Sequence, residues 1–254
     1  VPDMSDYTKY TFKFVDTMTK GLDFVEGSVN VTIGGKEISN TPAVYTVTYN
    51  NDDLANKKLE IAFDDLKKVK KEESAFVDAG DEIVVTYEAY INKDASRTDP
   101  ATNTVHLEYS NNPNGTGTGK SNPDESKVYT YDIKIDKFYK DNGVEKPLAN
   151  ATFKLTTDEE GSSVVKLVNE TEANTYHVQG DGETGSNTVT TDATGKITIK
   201  GLKEGTYYLH ETAAPTGFNK LTQPIKIEIA VTGEAYTTPS YKVDGNTQDS
   251  NTIK

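Results

Sequence analysis

The 254-residue chain contains no cysteine, which removes disulfides, thiolate metal sites and cysteine nucleophiles from consideration together. Small extracellular domains often rely on disulfide staples, so a secreted chain of this composition needs another kind. No apolar run approaches the length of a membrane-spanning helix, and Val1 opens no signal peptide, so the chain reads as an excised mature fragment. Long helical periods are also missing. Basic residues are in deficit: the formal net charge is −13. That sign argues against nucleic acid as a partner, because such binding rests on neutralising phosphates, and it favours solubility.

What is present is strand chemistry. Fifteen tyrosines and many Thr, Val and Ile occur in short runs cut by Gly, Asn, Asp and Pro, which predicts an all-β chain. Residues 7–15, YTKYTFKFV, alternate with Tyr10, Phe12 and Phe14 on one face, and Asp16 continues that face. Strands are expected at 29–33, followed by the hairpin pair Gly34-Gly35, and at 43–49, 58–63 and 82–91. Asp64–Ser74, DDLKKVKKEES, is the best helix candidate, with a solvated charged face. Asn103 shares the parity of Val105, Leu107 and Tyr109, so it points inward.

Residues 110–126, SNNPNGTGTGKSNPDES, have the most biased composition and divide the chain. The division predicted is a domain over 1–112, a linker over 113–127 and a second domain over 128–254. The GTGTGKS within the linker fails the phosphate-loop spacing, since Asn114 stands where the first glycine belongs. Strand signals resume in VYTYDIKIDKFY and recur at 151–155, 163–168, 174–178, 196–200, 206–211, 224–231 and 240–243, a pattern suited to a β-sandwich.

Two residues contradict their faces. Lys137 lies on the apolar face of Ile133 and Ile135, and Glu211 lies on that of Tyr207 and Leu209. A buried salt bridge, or a bulge that exposes both, would explain them. A sharper alternative is chemical. A desolvated lysine loses its proton readily and becomes a nucleophile, while a neighbouring carboxylic acid can polarise an asparagine amide and shuttle protons. Attack expels ammonia and leaves an amide between two side chains.

The run GLKEGTYYLHETAAPTGF resembles the E-box region of Gram-positive (streptococcal-type) backbone pilins with the collagen-adhesin B-type fold. The likeness rests on Tyr207, Leu209, Glu211, Thr212, Ala214, Pro215, Gly217 and Phe218, and KFYKDNGVEKPLANATFKL resembles that family's opening strands. It implies that Glu211 is the catalytic acid and Lys137 the cross-linking lysine. The acceptor is then Asn251, which shares parity with Ile253, or an asparagine following Lys254. FKFVDTM, VTYEAYIN and NTVHLEYSNNP resemble the preceding A-type module of such pilins. By that resemblance Asp16 is the acid and Asn103 the acceptor, with the lysine upstream of Val1, because Lys9 and Lys13 face away.

The resemblance implies two tandem immunoglobulin-like β-sandwich domains, no cofactor, and a structural role rather than an enzymatic one. It also implies other pilin subunits and a sortase as partners, with host matrix proteins as further ligands, and a place on the bacterial cell surface. The Tyr-Pro-Lys polymerisation motif and the LPxTG-like sorting motif of the family are absent from the sequence. A wall-anchored matrix adhesin built from the same modules is the alternative. A polysaccharide-active enzyme would need paired carboxylates in a cleft, and no such motif occurs. His106, His177 and His210 are scattered and read as surface residues, and Gly180–Asn187, GDGETGSN, departs from calcium-loop spacing and reads as a solvated loop. The N-x-[ST] sequons at Asn30, Asn114, Asn150 and Asn169 carry little meaning in a bacterial chain.

Overall fold

A computed structural model describes residues 1–96, 98–180, 182–231 and 239–254. The described secondary structure is strand, with one short 3-10 turn at Leu66–Lys68. The chain separates into two compact units, Val1–Tyr90 with Ala101–Lys127, and Ile91–Pro100 with Val128–Lys254. The second unit therefore takes in residues 91–100, expected in the first, and Thr130 holds them by donating its hydroxyl to the Ala95 carbonyl at 2.7 Å.

In the first unit the main sheet runs in the order Thr118–Lys120, Ala101–Ser110, Phe12–Met18, Lys57–Phe63, Thr46–Asn50, and Asp124–Val128 also pairs with the 101–110 strand. Partners in an antiparallel register share a face. Phe12 stands opposite Phe63 and Tyr109, Asp16 opposite Leu59 and Val105, and Met18 opposite Lys57 and Asn103. This inner face is buried at Phe12, Asp16, Met18, Lys57, Leu59, Ile61 and Phe63. A three-stranded sheet of Lys36–Glu37, Asn30–Ile33 and Ile83–Thr86 adds Val31 and Ile33 to the buried set. Gly34 and Gly35 make the expected turn, both with positive φ.

Two expectations fail here for physical reasons. The helix expected over Asp64–Ser74 is a single 3-10 turn, because the backbone turns extended at Val69, Lys70 bridges to Phe76 and Lys71 pairs with Asp81 at 2.7 Å. The 113–127 linker is built into the sheet. Gly119 sits opposite Tyr109 with the phenol ring packed over it, so that a larger residue would have to displace the ring, and the long 101–110 strand offers the hydrogen bonds. The GTGTGKS run is thus a strand edge rather than an anion cradle.

The second unit is a sandwich of two sheets. One has the order Leu167–Asn169, Thr175–Val178, Lys196–Leu202, Tyr131–Asp136, Thr252–Ile253, and the other has Val189–Thr190, Thr152–Thr156, Gly205–Ala213, Ile225–Val231, Pro239–Val243, Asn246–Gln248. Ile133, Ile135, Phe153, Leu155, Ile197, Ile199, Leu209, Ile227 and Ile229 meet in an apolar core. A hairpin, Phe138–Asp141 with Val144–Pro147, turns at Asn142-Gly143, the sequence such a turn favours.

The outer face of the first unit carries a ladder of charge across its strands. Lys13 bridges Glu60 at 3.1 Å and Glu108 at 2.8 Å, Lys58 reaches Glu60 at 2.7 Å, and Lys120 reaches Glu108 at 2.7 Å. Hydrogen bonds from Lys120 and then Lys13 hold the Glu108 carboxyl down to about 2. A carboxylate depressed in the folded state contributes stability that is present above its unfolded value and lost as pH falls through the folded one. The unfolding midpoint of the chain is therefore expected to drop between about pH 4.5 and 2, and to drop less in Glu108→Gln. Denaturant titrations at stepped pH measure this, and equal slopes for the two proteins would refute it.

Candidate cross-linking sites

Glu211 in the second unit and Asp16 in the first are carboxylates buried on an apolar strand face, and the residues around each define a site. In the second unit Glu211 lies in the strand Gly205–Ala213, opposite Phe153, and its side chain is 0% exposed. Alternation along that strand buries Tyr207, Leu209 and Glu211 together. Lys137 follows the strand Tyr131–Asp136 in the facing sheet. Its amide donates to the Gly195 carbonyl at 2.8 Å and its own carbonyl accepts from the Leu148 amide at 2.9 Å. Gly195 has φ +72°, and a Cβ there would overlap the Lys137 carbonyl oxygen, so only glycine lets the turn press against the lysine backbone.

The two side chains meet across the core. Lys137 Nζ stands 3.2 Å from Glu211 Oε1 and 5.9 Å from the centre of the Phe153 ring. The contact has ion-pair distance without hydrogen-bond alignment, so Oε1 is a buried oxygen with no hydrogen bond. The other oxygen, Oε2, accepts the Leu221 amide at 2.8 Å. Leu221 belongs to the loop after the strand, where Phe218 packs edge-on against Tyr139 at 5.1 Å. A cavity of about 380 Å³ opens beside the pair, lined by Lys137, Phe153, Leu209, Leu221, Pro224 and Ile253 among others.

Asn251 is not brought to this pair. The strand Thr252–Ile253 runs parallel to Tyr131–Asp136 with Thr252 beside Lys134 and Ile253 beside Ile135. That register puts Asn251 level with Ile133, about 13 Å along the strand from Lys137 at the usual rise. Its amide nitrogen donates to the Asp132 carbonyl at 3.1 Å and carboxylate at 2.7 Å.

In the first unit Asp16 is 4% exposed and meets Asn103 directly. Asn103 Nδ2 donates to Asp16 Oδ2 at 3.1 Å. Tyr87, not singled out in the sequence, completes the cluster. Its hydroxyl donates to the same Oδ2 at 2.8 Å and accepts from Asn103 Nδ2 at 2.8 Å. Burial pushes the Asp16 carboxyl up, against the lowering effect of those two hydrogen bonds. Burial, then the nearby Asp16 charge, raises the Tyr87 phenol. Asp16 Oδ1 and Asn103 Oδ1 are buried with no partner.

Lysines near this cluster are committed elsewhere. Lys9 pairs with Asp64 and Lys13 with Glu60 and Glu108, on the outer face. Lys57 is buried on the inner face, but its ammonium donates to the Lys20 and Leu22 carbonyls at 3.2 and 2.9 Å and pairs with Asp23 at 2.5 Å. It is a clamp on the 18–24 turn rather than a free amine.

Of the histidines, His177 departs from the expected surface setting. It is buried between Glu170 and Glu183, at 3.4 and 3.0 Å, and Glu183 thereby ties down part of the loop expected to be solvated. Asp181 of that loop lies outside the described residues. Among the described residues no group of three or more His, Asp or Glu is arranged to hold a metal ion, and no helix is long and apolar enough to cross a membrane.

Comparison with known proteins places these sites in context. Residues 132–242 match the SpaA family, described as a prealbumin-like fold domain. No curated protein matches the chain. The 35 kDa C-terminal fragment of the major pilin GBS80 of Streptococcus agalactiae is 24% identical with TM-score 0.63, over 87% of this chain and 78% of that one. The pilus 2b backbone protein of group B streptococcus is 25% identical with TM-score 0.52, over 89% and 81%. BcpA, the major pilin subunit of Bacillus cereus, is 20% identical with TM-score 0.56, over 89% and 56%. The all-β architecture is thus shared with pilins, which are structural subunits.

Because Gly195 fixes the backbone of Lys137, Gly195→Ala is expected to destabilise the second unit by about 1–3 kcal/mol, from left-handed strain and the clash. Denaturant unfolding followed by tyrosine fluorescence measures it. An unchanged transition would show that the turn does not hold Lys137.

Proposed function

We propose that the chain is part of a backbone subunit of a Gram-positive surface pilus, a structural protein whose two units are hardened by lysine–asparagine amide cross-links formed without an added catalyst. On this reading subunits associate end to end and a sortase joins them. The observation that carries the proposal is the Lys137–Glu211 pair, an amine 3.2 Å from a carboxylate that is 0% exposed. The E-box run around Glu211 and the similarity to major pilins of streptococci and Bacillus support it.

The chemistry follows from the environment. A buried ion pair is a weak source of stability, because desolvation offsets most of the attraction. The same pair is well suited to proton transfer. Lys137 attacks the side-chain carbonyl carbon of an asparagine. Glu211 hydrogen-bonds the carbonyl oxygen, takes the proton the amine gives up and delivers one to the departing nitrogen, so that ammonia leaves and an amide remains. The Leu221 amide holds Oε2 and leaves Oε1 for this work.

We assign the acceptor to a carboxamide presented level with Lys137. The parallel register carries Lys254 to Asp136, so an asparagine following Lys254 would meet that requirement. Asn251 meets it only if its Asp132 bonds break and the strand slides. A bond here closes a loop of roughly a hundred residues, worth about 4–5 kcal/mol on the chain-entropy scale used for disulfides. In the first unit Asp16 takes the role of Glu211 and Asn103 is the acceptor.

Intact mass tests the proposal. In a chain that continues past Lys254 through an asparagine, the mass is expected to fall below that of the sequence by one ammonia for the second-unit bond, and Glu211→Ala to lose that deficit. Persistence of the deficit in Asn251→Ala would assign the acceptor elsewhere. A mass equal to the sequence mass in that longer chain would refute the second-unit cross-link.

A further inference from the structure

The first-unit cluster has a member the cross-linking scheme does not require, and it has two buried oxygens without partners. Asn103 presents its nitrogen to Asp16 Oδ2 and Tyr87 Oη, at 3.1 and 2.8 Å, while its carbonyl oxygen faces the apolar interior unpaired. That orientation suits a resting state with Asp16 ionised, since a carboxylate only accepts. It is the wrong orientation for attack, because the oxygen that must gather charge has no donor.

A carboxamide's two ends are nearly equal in size, so a half-turn about its last torsion exchanges them with little change of packing. After the turn, the Asn103 oxygen occupies the position 2.8 Å from the Tyr87 hydroxyl and 3.1 Å from Asp16 Oδ2. Tyr87 then donates to it, and a protonated Asp16 donates as well. The nitrogen moves to the unpaired side, from which ammonia departs.

Resting on the cross-linking reading of this unit, we propose that Tyr87 is a catalytic residue of the first-unit site, the second donor of a two-donor hole that holds the Asn103 carbonyl oxygen as its carboxamide is attacked by an amine. As the amine nitrogen bonds to Asn103 Cγ, the carbonyl electron pair moves onto Oδ1 between Tyr87 and Asp16. The proton released by the amine passes to the leaving nitrogen, the carbonyl re-forms and ammonia leaves. One C–N bond forms, one breaks, and nothing is oxidised. Preorganised donors of this kind are effective because they are aimed before charge develops. Tyr87 is so aimed: the Phe24 ring packs against it at 5.8 Å, and burial keeps the phenol protonated. The nearest buried ammonium on this face, Lys57, is held by Asp23 and two carbonyls.

The test uses hydroxylamine as a small amine on the folded chain. Attack converts the Asn103 carboxamide to a hydroxamate with loss of ammonia, and peptide mass mapping locates it. Asn103 is expected to react ahead of the other asparagines. The rate, corrected for free hydroxylamine, should fall as Asp16 loses its proton, and Tyr87→Phe should show the same fall displaced to higher pH while reacting about tenfold or more slowly below it. Equal rates in wild type and Tyr87→Phe would overturn the role of Tyr87 and leave the acceptor reading standing. An Asn103 no more reactive than its neighbours would overturn the acceptor reading and the Tyr87 role together. A second measurement needs no reaction. Carbon-13 titration of the Asp16 carboxyl should move to higher pH in Tyr87→Phe, because the phenol's hydrogen bond opposes the burial effect, and an unmoved titration would overturn the proposed contact.

Discussion

The structure turns on one constraint, a carboxylate placed inside an apolar sandwich. Such a group is costly unless its oxygens find donors or its charge finds a partner. The second unit answers with an amine and a backbone amide, Lys137 on one oxygen of Glu211 and the Leu221 N–H on the other. The first unit answers with a phenol and a carboxamide on the same oxygen of Asp16, leaving the second oxygen bare. The two units therefore solve the same problem to different degrees. The bare oxygens of Asp16 and Asn103 mark where a further donor is wanted, each unsatisfied group costing about 1–3 kcal/mol.

This difference has an electrostatic side. Burial raises the Asp16 carboxyl, and a group more basic in the folded state than in the unfolded one favours folding more as pH falls toward its unfolded value. The outer-face ladder has the opposite sign, because Glu108 is held low. The inner and outer carboxylates of one sheet thus pull the pH dependence of stability in opposite directions. The surface pairs are partly exposed and screened by salt, so their share shrinks at high ionic strength.

Much of this was legible in the sequence, and for a definite reason. Period-two alternation fixes which face a strand residue occupies, so the inward placement of Asp16, Asn103 and Glu211 followed from parity alone, and the structure buries Asp16 and Glu211. Strand limits at 30–33, 57–63 and 225–231 lie close to expectation for the same reason. Parity does not give register between distant strands. It could not show that Asn251 stands level with Ile133 rather than Lys137, nor that Tyr87 would close a ring with Asp16 and Asn103. The Leu221 amide left no trace in the sequence, since every non-proline residue carries one. Composition misled at 113–127, where Gly, Ser and Asn suggested a linker but an open strand edge recruited them, and at 64–74, where charge suggested a helix but the backbone turns extended at Val69 and bridges from Lys70 to Phe76.

The register of the second unit also explains where a covalent bond matters most. Tyr131–Asp136 and Thr252–Ile253 are neighbours and parallel, with two residue pairs in register. Tension applied at the start of the first strand and the end of the second pulls them in opposite directions, so the hydrogen bonds between them are loaded in shear. A contact of two residues is a weak link in a sandwich otherwise held by the long pairings of Gly205–Ala213 and Lys196–Leu202. Lys137 stands just past the end of the first strand, against the glycine turn that anchors its backbone. On the proposed reading, an amide at that point carries the load from the last strand into the first through a bond that tension cannot peel. Resistance then depends on a covalent rate rather than on the free energy of the core. In a chain without cysteine, the lysine and carboxylate that parity places inside are the groups available to supply it.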